Sequence, residues 1–129
     1  MQEIIEVPGI KAIGPYSQAV RANGFLFVSG QPGVVPETGE AAVAEAGQSP
    51  FEAQARQALE NLRRVLEAGG SGMDRVVNTT VLVADISQFG VVNALFAEYF
   101  AANPPARMTM QVPLPNGLLF SIGCVAVVG

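Results

Sequence analysis

Arg107 is the residue whose type and setting speak most directly of chemistry. It is the only basic residue after Arg75, and it follows Pro104-Pro105 among apolar and neutral neighbours. A guanidinium is always charged and offers a rigid fork to a carboxylate. In a dry cleft it requires an anion. A clamp for a small carboxylate is one reading; a salt bridge to Glu98 or Asp85, or a solvated strand end, are the others. Ser29-Gly30-Gln31 follows an apolar run, and a glycine there lets backbone N–H groups approach a ligand closely. An ordinary strand-ending turn fits the same residues. Tyr16, after Gly14-Pro15, carries a phenol able to orient a water or a substrate, or it is a half-buried aromatic with a hydrogen-bonded tip. Cys124, within Ser121-Ile122-Gly123-Cys124-Val125, reads as a small buried hydrophobe with no sequence neighbour to activate a thiolate.

What is missing narrows the chemistry further. The 129 residues include no His and a single Cys. This excludes a Ser-His or Cys-His pair, an imidazole base, a His-containing zinc site and an intrachain disulfide. The carboxylates lack metal-ligand spacing, and no glycine-rich phosphate loop precedes a helix, so no metal site is expected. The net charge is −4 and no basic run exceeds Arg63-Arg64. That argues against a nucleic-acid surface, while leaving room for a local basic pocket. Only 14% of the residues are charged, against about 25% in a typical soluble domain. Surface hidden in an oligomer accounts for this, as would a monomer with a neutral polar surface. The first ten residues lack a basic segment followed by a long apolar one, so no signal peptide is expected. No apolar stretch reaches the roughly 18–20 residues of a membrane span. A cytoplasmic protein of one domain, 1–129, is expected.

The elements that must position these residues follow from pattern. Residues 3–7 suit a short edge strand, residues 17–21 an extended segment, and Asn23-Gly24 a hairpin turn. Phe25-Leu26-Phe27-Val28 reads as a buried strand, and 36–48 as a loop turning at Thr38-Gly39. Ser49 as N-cap, Pro50 and Glu52 announce a helix with a capping box. Its apolar face is Phe51, Ala55, Ala58, Leu62, Val65 and Leu66, its solvated face Glu52, Arg56, Glu60 and Arg64, and Gly69-Gly70 ends it. Residues 75–83 read as a strand. Asp85 or Ser87 caps a second helix whose buried side is Phe89, Val92, Phe96, Tyr99 and Phe100, stopped at Asn103-Pro104-Pro105. Over 106–112, Arg107, Thr109 and Gln111 point one way and Met108 and Met110 the other. A turn at 113–117 leads to a last strand over 118–128. The order predicts an α+β fold: one sheet with two helices packed on one face, leaving its other face to be covered.

Taken together, several segments resemble one family. Ala12-Ile13-Gly14-Pro15-Tyr16-Ser17-Gln18-Ala19, Val28-Ser29-Gly30-Gln31 and Pro36-Glu37-Thr38-Gly39-Glu40 resemble the opening of the RidA/YjgF/UK114 family. Residues 54–62, Asn78-Thr79-Thr80-Val81, Val92-Asn93 and Pro105-Ala106-Arg107 resemble its later segments, in order and at family spacing. The resemblance implies a chorismate-mutase-like subunit with a mixed sheet, assembled as a homotrimer with clefts between subunits. It implies hydrolysis of reactive imines and enamines, such as 2-aminoacrylate, to 2-oxo acids and ammonia, without a cofactor. Arg107 stands at the family's carboxylate-binding arginine, Gly30 at a backbone position that holds substrate, Ser29 beside it, and Tyr16 at the pocket tyrosine. Asn93 and Phe89 match positions near the cleft. Two departures stand out. Ser121 occupies the place of a glutamate thought to position water or move protons, and Thr109 that of a common cysteine.

The resemblance leaves four readings. The leading one is an enamine/imine deaminase with Arg107, Tyr16 and Ser121 as catalytic residues and Gly30, Ser29, Asn93, Thr109 and Phe89 around the substrate. The others are a pathway-specific enamine deaminase reshaped at Ser121, a non-catalytic binder of 2-oxo acid-like ligands, and a ribonuclease or translation inhibitor. The absence of His and the acidic balance count against the last.

Overall fold

The structure is a computed structural model and describes residues 2–129; residue 1 of the expected domain lies outside them. The strongest local signal builds the longest element, helix α1 (Pro50–Ala68). Ser49 Oγ accepts from the Glu52 backbone N–H at 3.1 Å and Pro50 opens the first turn. Only half of the expected capping box forms, because the Glu52 carboxylate turns along the helix to Arg56, 2.9 Å away. A charged partner one turn on outcompetes the Ser49 backbone N–H. All six predicted apolar residues of α1 are buried, and Gly69 closes the helix.

Six strands form one mixed sheet: β1 (Glu3–Ile5), β2 (Ala19–Ala22), β3 (Phe25–Pro32), β4 (Val76–Val83), β5 (Ala106–Gln111) and β6 (Phe120–Val127). Their spatial order is β1-β2-β3-β6-β4-β5, and only β4 and β5 run parallel. Asn23 and Gly24 join β2 to β3 with φ of 57° and 83°, the two positive values that a tight hairpin turn of this hand needs. A parallel pair needs a crossover, and α2 (Phe89–Tyr99) supplies it between β4 and β5. Asp85 caps a short 3₁₀ turn ahead of α2, accepting from Ser87 N–H at 2.9 Å.

The sheet is two-sided, which corrects the reading of 25–28 as a wholly buried run. Leu26 and Val28 face the core, while Phe25 and Phe27 stay 40% and 47% exposed on the other face. The same alternation runs through β6, with Phe120, Ile122, Cys124 and Ala126 inward. The inward residues and the apolar sides of α1 and α2 make one core. Phe89, expected on the buried side of α2, is exposed. β3 also continues past its expected end through a bulge. Its register with β6 steps from Val28↔Cys124 to Gln31↔Ile122, so one extra residue is accommodated at Ser29-Gly30. Buried polar side chains tie α1 to the rim: Asn61 Nδ2 donates to the carbonyls of Pro32 (3.2 Å) and Val34 (2.8 Å), and Gln54 Oε1 accepts from Leu119 N–H (2.8 Å). No helix of the described residues is long and apolar enough to cross a membrane.

Gly33 sits where β3 leaves the sheet, and a Cβ there would run into the backbone of Gln54. Gly33→Ala is expected to lower stability by about 1–3 kcal/mol. Gly90→Ala, with open space around the added atom, is expected to change it by less than about 1 kcal/mol. Urea midpoints of the two variants provide the check.

Candidate functional site

Arg107 points to the helix side of the sheet. It pairs across β5–β4 with Thr79, Thr79 with Cys124, and Cys124 with Val28. Directly paired residues share a face, and Thr79, Cys124 and Val28 are all buried. The Arg107 Nη2 donates to Asn93 Oδ1 at 2.7 Å, and its Cζ lies 5.0 Å from the Phe89 ring centroid and 4.8 Å from that of Phe96. Phe89, Asn93 and Phe96 are four and three positions apart, so they form one stripe on α2. The exposed ring of Phe89 thus serves as a platform for a cation.

No carboxylate of the described residues lies within ion-pair distance of Arg107. The two acids weighed as partners are engaged elsewhere. Glu98 pairs with Arg56 at 2.7 and 3.1 Å, which holds its carboxyl below the usual range. Asp85 accepts from Ser87 and is likewise lowered. Burial alone acts on Arg107, lowering its pKa, though a guanidinium stays charged in any working range. One of its five N–H donors goes to Asn93, and the fork keeps donors for an anion. Thr109, two residues along β5, shares the face of Arg107. Its Oγ1 is buried without a hydrogen-bond partner, a condition that costs about 1–3 kcal/mol.

A second group of residues lies on the opposite, open face. Ser29 Oγ donates to the Ser17 carbonyl at 2.6 Å, and Ser29 N–H to that of Gln18 at 2.9 Å. Buried Gln31 donates through Nε2 to Gln18 Oε1 (2.8 Å) and to the Ser29 carbonyl (3.1 Å). These bonds staple Ser17 and Gln18, which follow Tyr16, to the bulge at Ser29-Gly30. A Cβ on Gly30 would stand 3.0 Å from Ser121 Oγ, so the glycine keeps that spot open. A broad depression of about 600 Å³ results, with Tyr16, Ser29, Gly30, Asn78, Thr80 and Ser121 among its lining and no charged side chain there.

The structure therefore brings together Arg107, Asn93 and Phe89, with Thr109 on their face, and separately Tyr16, Ser29, Gly30 and Ser121. It does not join the two groups within the chain, because Arg107 and Ser121 occupy opposite faces of the sheet. Sequence reasoning assigned Phe96 to the core and overlooked its ring as the second platform under Arg107. Its spacing from Asn93 carried that signal. In sequence Gln31 reads only as the end of a turn; of its two hydrogen bonds, one reaches the distant Gln18 and the other the nearby Ser29 carbonyl.

The family model described as Endoribonuclease L-PSP matches residues 8–128. The chain belongs to this family. It is the RidA/YjgF/UK114 family that the segment pattern resembles. A relative from Arabidopsis thaliana named Reactive Intermediate Deaminase A, chloroplastic, is 44% identical over 89% of this chain and 59% of its own. The human protein named 2-iminobutanoate/2-iminopropanoate deaminase is 43% identical over 96% of this chain and 86% of its own. The crystal structure of a putative endoribonuclease L-PSP from Entamoeba histolytica superposes with a TM-score of 0.88 at 40% identity, covering 99% of this chain and all of that one.

Cys124, the family member's single cysteine, is buried, and burial pushes its thiol up to about 12. Its charged form is thus favoured only on unfolding, so the neutral thiol's stabilisation is full below about pH 8.5 and is lost as pH rises toward the folded value. At pH 8 a thiol reagent is expected to leave the native protein unlabelled and to label one thiol in urea. Between pH 9 and 11 the urea midpoint of the wild type is expected to fall more steeply than that of Cys124→Ala.

Proposed function

We propose that this protein is an enamine/imine deaminase that hydrolyses 2-aminoacrylate-type 2-imino acids to 2-oxo acids and ammonia. The observation that carries the reading is Arg107, a partly buried guanidinium aligned by Asn93 and two phenyl rings with no carboxylate partner among the described residues. Such a fork suits a small carboxylate. The names of the relatives supply the reaction class. In the reaction, water adds to the imine carbon and gives a carbinolamine; a proton moves to its nitrogen, the C–N bond breaks, and ammonia leaves a 2-oxo acid. The carbon is already electrophilic, so holding the carboxylate and orienting the water supplies proximity and charge stabilisation without a strong base. Tyr16 and the Ser121 hydroxyl orient the water, and the backbone at Ser29-Gly30 adds hydrogen bonds.

Because the two groups of residues face opposite ways, the working cleft in this proposal lies between subunits, with Arg107 from one and the Tyr16/Gly30/Ser121 group from its neighbour. The open face supports association: Phe25, Phe27, Met108, Met110 and Val127 leave an apolar surface that a monomer rarely shows. The resemblance implies a homotrimer, and both this assembly and a cytoplasmic location belong to the same proposal. A second reading is favoured by one observation. No carboxylate lines the open-face depression, where Ser121 replaces the expected glutamate; this suits a non-catalytic binder of 2-oxo acids. The endoribonuclease reading rests on the family model's description alone, against an acidic chain without His.

With 2-aminoacrylate generated in place by a dehydratase, the wild type is expected to speed imine decay. Arg107→Ala is expected to reduce this about 10- to 100-fold, the worth of a charge-assisted hydrogen-bonded pair. Acceleration by Ser121→Glu alone would instead favour the binder. Light scattering is expected to give three times the 13.4 kDa mass of one chain; a monomer would contradict the shared cleft.

A further inference from the structure

We infer that Thr109 reads the heteroatom on C2 of the ligand, and so separates 2-oxo and 2-imino acids from plain carboxylates; this rests on the carboxylate-clamp reading of Arg107. The inference starts from an anomaly. Among the described residues, Thr109 Oγ1 is the one buried side-chain oxygen or nitrogen without a hydrogen-bond partner. The comparable hydroxyl on the adjacent strand has a partner within the chain: Thr79 Oγ1 donates to the Ala106 carbonyl at 3.0 Å. Thr109 lies against Val81, which pairs in turn with Ile122, and both offer only apolar side chains on that face. A valine would fill the same volume without an unmet hydrogen bond, so the hydroxyl is a burden on the free subunit.

The position of the residue suggests where the missing partner comes from. Thr109 is partly exposed although its Oγ1 is covered, and it sits two residues from Arg107 on the same face of the edge strand β5. Two residues along a strand span about 6.6 Å. An acid whose carboxylate is held by the guanidinium carries its C2 substituent beyond that anchor, within the reach of the next side chain on the face. One staggered step about Cα–Cβ, about 120°, carries the hydroxyl of a threonine into the place its methyl held and the methyl into that of the hydrogen. The hydroxyl then meets the C2 oxygen or nitrogen as donor or acceptor, which suits both a 2-oxo and a 2-imino group. A site built to hydrogen-bond a ligand group discriminates strongly against the analogue that lacks it.

The test compares 2-oxobutanoate with butanoate by calorimetric titration of the full chain, for wild type, Thr109→Val, Thr109→Ser and Arg107→Ala. The wild type is expected to bind 2-oxobutanoate about 10-fold more tightly than butanoate. Thr109→Val is expected to lose most of that preference by weakening 2-oxobutanoate alone, and Thr109→Ser to keep it. The urea midpoint of Thr109→Val is expected to equal or exceed that of the wild type, the reverse of what a structural hydroxyl would give. Equal weakening of both acids by Thr109→Val, or of neither, overturns the inference while leaving the clamp standing. Unchanged binding of both acids by Arg107→Ala, or no binding by the wild type, overturns the clamp itself.

Discussion

A six-stranded sheet covered by helices on one face only imposes a constraint on everything built upon it. Every strand residue must go either to the core with α1 and α2 or to the open side, and period-two alternation makes the choice for its neighbours. Along β5 this sends Arg107 and Thr109 toward the helices and Met108 and Met110 away. Along β6 it sends Cys124 inward and Ser121 outward. Two sets of polar residues end on opposite sides of a layer that no side chain crosses. The open side keeps an apolar surface with phenylalanines and methionines. The separation of the two polar groups and the apolar open face have one cause.

The treatment of Arg107 shows how a charge can be held in readiness. Burial alone acts against its protonated form, yet the fold gives it no carboxylate. It gives a neutral amide oxygen and two ring faces, which orient a cation without neutralising it. Acids that might have closed the fork are committed elsewhere, Glu98 by Arg56 and Asp85 by its own 3₁₀ turn. On the open face the preparation is of backbone. A bulge at Ser29-Gly30, stapled by Gln31 and Gln18, removes the side chain from the spot beside Ser121. Under the proposed function, both arrangements lower the cost of ordering a ligand.

Much of the fold was legible because its signals are local. Ser49-Pro50 and Gly69-Gly70 bracket α1 through capping chemistry, Asn23-Gly24 makes a hairpin through positive φ, and alternation over 106–111 separates Arg107 from Met108. The misreadings share a different origin. Phe25 and Phe27 looked buried because a continuous apolar run cannot reveal that one face lacks a covering layer. Phe89 looked like core because helix periodicity marks a stripe without naming what lies against it. The capping box failed at Glu52 because the competing partner, Arg56, is drawn further into a bridge by Glu98 from α2.

Residue types and spacing thus settle which groups are present: one isolated guanidinium, no imidazole, one thiol, and a stripe of Phe89, Asn93 and Phe96 on a single helix. They settle these because such properties depend on chemistry and on steps of a few residues. Long-range pairing settles which groups meet. The bulge at Ser29-Gly30 exists only in register with β6, nearly a hundred residues later, and Thr109 lacks a partner only because Val81 and Ile122 stand beside it. The separation of Arg107 from Ser121 likewise depends on which face of the completed sheet the helices cover.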